Sequence, residues 1–279
     1  MSKRNGHTRV RCGEVRHPVT QRGAFSLIEV LVVIAIIGVL MAVLVVGLNS
    51  SRRYAQREAC KAKLRQIALA WQMYLNENSG FFYQSPEANW AYGGWWGKRE
   101  KDHRPLNPYL QMDPNCHNWQ DAKVFCCPAD RGGVPGQPAS QPVFREFGTS
   151  YQTNPLLIGP VQCAPLTTRT EPLDAQINTI LYPQSLNKVT RRTPMLVLMG
   201  DYGWVNQWRQ TVFSGAYTQK NKERAEWHGR PDCHNMAFLD LHVDFTKIQK
   251  GYYVTDKYAI LPFEGLWDQA RELQGPVGQ

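Results

Sequence analysis

The chain has 279 residues, 43% hydrophobic, 20% charged and 11% aromatic, with a formal net charge of +9. This composition excludes a disordered tail, a collagen-like fibre and a multi-spanning membrane protein, and the length accommodates one large domain or two modest ones. A mean hydropathy of −0.44 fits a mainly water-soluble body, but the apolar residues are unevenly spread.

The first 24 residues carry Lys3, Arg4, Arg9, Arg11, Arg16 and Arg22 against the single acid Glu14, a local charge of +5. Without them the remaining chain holds only +4, so the high isoelectric point belongs largely to this segment. No Lys/Arg cluster with interleaved aromatics stands on the body, and no nucleic-acid partner is expected. Residues 30–48 are nineteen positions without a charge or a proline, VLVVIAIIGVLMAVLVVGL, enough at about 1.5 Å per residue to cross a hydrocarbon core of about 30 Å. One membrane span is predicted, its basic flank on the cytoplasmic side and the body outside.

An ordinary secretory signal has a shorter apolar core followed by small residues at a cleavage site. Here the small residues Gly23 and Ala24 precede the core, and the acid Glu29 stands at its start. The stretch Gly23-Ala24-Phe25-Ser26-Leu27-Ile28-Glu29-Val30-Leu31 resembles the prepilin leader and methylation motif of type IV pilins and type II secretion pseudopilins. The resemblance implies that a membrane prepilin peptidase cuts on the cytoplasmic side, methylates the new N-terminus and leaves the helix as a single-pass anchor in the inner membrane.

Relatives place Gly before the cut and Glu fifth after it. Here Glu29 is fifth if Phe25 is first, which leaves Ala24 before the bond; Ala24/Phe25 is favoured over Gly23/Ala24 because only it keeps the Phe and Glu spacing. A carboxylate at the membrane centre costs at least about 2.5 kcal/mol, so Glu29 needs either a cation or a path to the headgroups. The resemblance implies the cation: the N-terminal amine of a neighbouring subunit.

Beyond the span, residues 50–76 contain no Gly or Pro, and Leu64, Ile67, Ala68, Trp71 and Leu75 recur at three- and four-residue spacing. The anchor is therefore expected to continue as one long helix whose second half is amphipathic, ending at Asn78-Ser79-Gly80. The chain divides into a leader (1–24), a long helix (25–80) and a head (81–279). In the head, short apolar runs broken by Pro, Gly and Asn predict an α+β body with antiparallel strands, the long helix packing on it as in pilins. Strands are expected at 194–199, 235–239 and 242–246, and a loop at 131–142.

Several pieces resemble a bacterial group of pseudopilin-like proteins with a C-terminal His, nine-residue spacer, Asp-Gly motif. Ala59-Cys60-Lys61 lies in its post-anchor helix, Phe125-Cys126-Cys127-Pro128-Ala129-Asp130 in its Cys-Pro element, and Thr149-Ser150-Tyr151-Gln152-Thr153-Asn154 in its Ser-Tyr element. His228, Asn235, Phe238, Asp240 and His242 stand where the named motif belongs, although eleven residues separate His228 from Asp240 and Leu241 replaces the glycine. An Asp-Gly turn needs positive φ, so either the turn is longer here or the segment runs on as one strand, with Asp240, His242 and Asp244 on one face.

Of seven cysteines, Cys12 leaves with the leader and six remain, an even number that suits disulfides outside the cytoplasm. The resemblance pairs Cys60 with Cys127. A zinc site from Cys116, His117, Cys126 and Cys127 lacks a standard finger spacing, and neither a metal nor a cofactor is expected. A Cys127–His228 dyad can be drawn, but nothing in the sequence brings the two together and no G-x-S-x-G elbow, H-E-x-x-H helix or phosphate loop is present; the chain reads as no enzyme. Trp90, Trp95 and Trp96 in a Gly-rich loop are candidates for an exposed contact surface.

The resemblance implies a structural pseudopilin subunit whose partners are prepilin peptidase, other pseudopilin subunits, an inner-membrane assembly platform and membrane lipid. The alternative is a single-pass surface protein whose aromatic head binds polysaccharide.

Overall fold

The computed structural model describes residues 26–83, 90–97, 103–133, 141–158, 173, 194–209 and 224–275. The leader, with Gly23, Ala24 and Phe25, therefore lies outside the described residues, as do Cys12, Cys163 and residues 134–140 of the expected loop.

Helix α1 runs unbroken from Leu27 to Glu77. The chain divides into two compact units, Met1–Leu48 and Asn49–Gln279. In the first, every described side chain is exposed, including Leu31, Ile34, Ile37, Leu40 and Leu44. It starts with a capping box: the Ser26 backbone N–H donates to Glu29 Oε2 at 2.8 Å, satisfying a donor that the first helical turn leaves orphaned.

In the second unit α1 becomes one-sided. Cys60, Leu64, Ile67, Ala68, Trp71 and Leu75 are buried, while Glu58, Lys61 and Arg65 occupy other faces. The helix stops because Ser79 and Gly80 take positive φ, and the Gly80 N–H closes back onto the Leu75 carbonyl at 2.7 Å.

The rest of this unit is α+β, with short helices α2 (Val143–Phe147), α3 (Trp204–Arg209) and α4 (Trp267–Gln274). Among the described residues the strands β1 (Tyr151–Thr153), β2 (Val197–Asp201), β3 (Cys233–Phe238) and β4 (Val243–Lys247) form one antiparallel sheet in the order β1-β2-β3-β4. A long N-terminal helix followed by a small antiparallel sheet is a pilin-like layout.

The sheet has apolar groups on both faces. Ala237 and Leu239 join the α1 side chains in one core with Tyr92, Phe125, Phe144 and Tyr151. Met236 and Phe238 point into a second, with Trp204, Trp208, Tyr253, Ile260 and Trp267. This period-two alternation is what a strand imposes, and β2, covered on both sides, is buried throughout.

The β3–β4 connection settles the two alternatives left by the missing glycine in favour of a turn. The Leu241 N–H reaches the Phe238 carbonyl and Leu241 takes φ +74°, the left-handed position that glycine usually fills in a three-residue hairpin loop. Asp240, His242 and Asp244 do not share one strand face.

The tryptophan loop is also not an exposed patch. Trp90, Trp95 and Trp96 are half-buried. Trp90 packs on Phe147 and Tyr202, Trp95 Nε1 donates to the Phe144 carbonyl at 2.7 Å, and Trp96 meets the His117 ring edge-on. The buried Asn107 side chain holds the loop by donating to the Gly94 carbonyl and accepting from its N–H, both at 2.8 Å.

The close backbone approach between this loop and α2 requires glycine. A Cβ at Gly148, whose φ is +81°, would lie 1.7 Å from the Trp95 carbonyl oxygen, whereas one at Gly265 meets nothing within 4 Å. Gly148→Ala is expected to destabilise the head by more than about 2 kcal/mol, and Gly265→Ala to change it by less than about 0.5 kcal/mol, in denaturant unfolding.

Candidate functional site

The pieces that resemble one family are far apart in sequence and meet at one place. Gln56, Cys60 and Lys63 lie at four- and three-residue spacing, hence on one edge of α1. Lys63 Nζ donates to the carbonyls of Lys123 and Cys126 at 2.9 and 2.7 Å, and Gln56 Nε2 to that of Pro128 at 3.4 Å. These bonds hold the turn preceding Pro128 against the helix, and between them Cys60 and Cys127 are joined by a disulfide, with Cα atoms 5.3 Å apart. Cys116, Cys126 and Cys233 are free.

Ser150 locks the second piece to the first. Its N–H donates to the Phe125 carbonyl at 2.8 Å, its hydroxyl accepts from the Cys127 N–H at 3.0 Å, and the same hydroxyl donates to Asp130 Oδ2 at 2.7 Å. Asp130 also accepts the N–H groups of Gly132, Val143 and Phe144, so one half-buried carboxylate organises the start of α2. Burial pushes its pKa up from the usual carboxylate range, and those four donors act in the opposite sense.

Against the disulfide lies a buried polar cluster. His228 Nε2 is 3.8 Å from Cys127 Sγ, 3.1 Å from Asp201 Oδ2 and 2.9 Å from Asn235 Nδ2. Asp201, at the end of β2, is held by the Asn235 backbone N–H at 2.8 Å. The side chains of His228 and Asp201 are only 2% and 3% exposed. Phe245 closes the cluster edge-on to the His228 ring, with the Arg57 guanidinium over the Phe245 face. Tyr151 stands opposite Asp201 across the β1–β2 pair, and burial, then the Asp201 charge, raises its phenol well above the ordinary tyrosine value.

The expected motif residues thus part company. His228 and Asn235 join the buried cluster, Phe238 lies in the second core, and Asp240 and His242 pair with each other at the partly exposed hairpin tip, 2.5 Å apart. Cys127 and His228, which no spacing connects, are adjacent, but the Cys127 sulfur is bonded to Cys60. Asp201 escaped the sequence reading: a single acid closing an apolar strand carries little signal. The Ser-x-x-Glu spacing of Ser26 and Glu29 is the sequence signal of the capping box observed at the start of α1.

The prokaryotic N-terminal methylation motif matches residues 20–45. The chain carries a prepilin-type N-terminus. The match covers the end of the leader and most of the apolar stretch, and α1 is the one described helix long and apolar enough to cross a membrane. A prepilin-type motif implies processing by prepilin peptidase and assembly with other pilins. No curated protein and no solved structure matches the chain.

Next to Asn235, His234 is wholly buried, and its pKa is lowered to about 4, first by burial, with His228 adding to the shift and Asp201 and Asp232 opposing it. The folded state keeps this ring neutral where an unfolded histidine, with a pKa near 6.5, takes up a proton. Its contribution is therefore complete above about pH 6.5 and declines as pH falls towards 4, by on the order of 3 kcal/mol in total. His234→Gln is expected to flatten that acid limb in urea unfolding across this window; an unchanged slope would contradict the assignment.

Proposed function

We propose that this chain is a pseudopilin-like structural subunit of a type II secretion-like or type IV pilus-like assembly, of the group with the His, nine-residue spacer, Asp-Gly motif. Prepilin peptidase cuts it between Ala24 and Phe25 and methylates the new amine. The leader faces the cytoplasm, α1 anchors the chain in the inner membrane, and the head stands on the outer side. Its partners are other pseudopilin subunits, an inner-membrane assembly platform and the surrounding lipid. Its role is assembly, not turnover.

The observation that carries this reading is the overlap of the methylation motif, residues 20–45, with a helical stretch whose apolar side chains are exposed among the described residues. A secretory signal would be discarded with its apolar core, whereas a prepilin-type cut lies before the core and keeps it. The polysaccharide-binding alternative loses its main support, because Trp90, Trp95 and Trp96 are engaged in packing and hydrogen bonding.

Glu29 is the residue through which assembly is expected to act. Among the described residues its carboxylate accepts from the Ser26 N–H alone, which leaves acceptor capacity for a neighbour's methylated amine. Glu29→Ala is expected to insert into membranes normally but to lose cysteine crosslinks between neighbouring anchors. Crosslinking at the native level would contradict the pairing.

A further inference from the structure

The buried cluster beside the disulfide contains polar atoms without a hydrogen-bond partner among the described residues. Asp201 Oδ1, His228 Nδ1, Asn235 Oδ1 and Tyr151 Oη are all buried and make no hydrogen bond among the described residues. Such concentrations of unsatisfied groups are rare in folded proteins and mark the cluster as more than apolar packing. One donor atom each from Cys60, Cys127, Asp201 and His228 lies within 4.8 Å of all the others, and all four residues are buried.

Their spacing has chemical content. Around a tetrahedral zinc-type ion, bond lengths of about 2.0–2.3 Å place ligand atoms about 3.3–3.8 Å apart. His228 Nε2 lies 3.1 Å from Asp201 Oδ2 and 3.8 Å from Cys127 Sγ, close to those edges, while the two bonded sulfurs are nearer than a metal would hold them. Two thiolates, one imidazole and one carboxylate are a donor set suited to a borderline-soft divalent ion. The Asn235 N–H on Asp201 supplies the outer contact that keeps a ligating carboxylate oriented.

We propose that in the thiol form of the chain Cys60, Cys127, Asp201 and His228 form a tetrahedral site for a divalent cation of the zinc class. Disulfide and metal are then alternative occupants of one buried position. The thiol form is the one in which the chain is made, because disulfides do not persist in a reducing cytoplasm. Metal uptake displaces the two thiol protons. Oxidation then proceeds by exchange with a disulfide of a dithiol oxidant: the two cysteine thiolates give up two electrons and form the Cys60–Cys127 bond. The oxidant's disulfide takes those electrons and two protons to become two thiols, and the cation leaves. The metal would hold α1 to the Cys-Pro turn before the covalent bond does.

The test uses the full chain in detergent with Cys12, Cys116, Cys126, Cys163 and Cys233 replaced by Ser, so that only the two cysteines of the cluster remain. Reduced with a phosphine and titrated with Co2+, it is expected to bind one ion per chain, with thiolate-to-cobalt charge transfer and the intense visible bands of tetrahedral cobalt. Zn2+ should bleach both. The same chain left oxidised should show neither, and His228→Gln should weaken cobalt binding at least about tenfold, as losing a direct ligand must. Circular dichroism on each sample separates loss of the site from loss of the fold. A reduced chain that shows no tetrahedral cobalt spectrum, folded or not, overturns the proposal. So does a His228→Gln variant that retains its fold and binds as tightly as the parent.

Discussion

The apolar surface of α1 over residues 27–48 constrains everything else about this protein. Leu27, Ile34, Val39, Leu40, Val43 and Leu44 are among many large side chains there that are more than half exposed. Each is worth about 1.5–3 kcal/mol when removed from water, so the segment is stable only in lipid or against other apolar helices. That requirement makes the fate of the segment the decisive functional question, and it gives the capped carboxylate at Glu29 its significance: it is the one charge in an otherwise greasy helical start.

The same helix has a second task after Asn49. There it contributes Leu64, Ile67 and Trp71 to the head's core, and the Cys60–Cys127 bond ties it to a turn 67 residues away in sequence. Closing a loop of that size removes on the order of 4 kcal/mol of entropy from the unfolded chain in the chain-entropy account. The Lys63, Ser150 and Asp130 hydrogen bonds set the geometry around it, and the His228–Asp201–Asn235 cluster backs it from the sheet. One helix is thereby apolar all round in its first half and fastened along a single edge in its second.

Much of this was legible in the sequence because it is local. The three- and four-residue recurrence of Leu64, Ile67, Ala68, Trp71 and Leu75 marks the buried face, and the order of small residues, acid and apolar run marks a prepilin-type start. The hairpin was legible only in part. Asn235 to Thr246 has the alternation of two strands, but a leucine in the left-handed position defeats a reading that relies on glycine, and Leu241 keeps partial burial against the first core. The tryptophans misled for a related reason: glycines around Trp95 serve close backbone packing at Gly148, not display of aromatic rings. Most members of the buried cluster were legible one by one, His228 and Asn235 as motif residues and Cys60 with Cys127 as a pair implied by the resemblance, but neither Asp201 nor the convergence of the cluster was. Its members come from α1, a turn, a strand end, a loop and a second strand, and nothing in sequence spacing records that five such elements converge.

The central claim is that the chain is trimmed ahead of α1 and keeps the helix. The most direct measurement is the intact mass and N-terminal sequence of the protein recovered from its native membrane. The account predicts a polypeptide that begins at Phe25 and carries one methyl group on its amine. A chain that begins at Met1, or one that begins beyond Leu48 with the apolar helix removed, would contradict it.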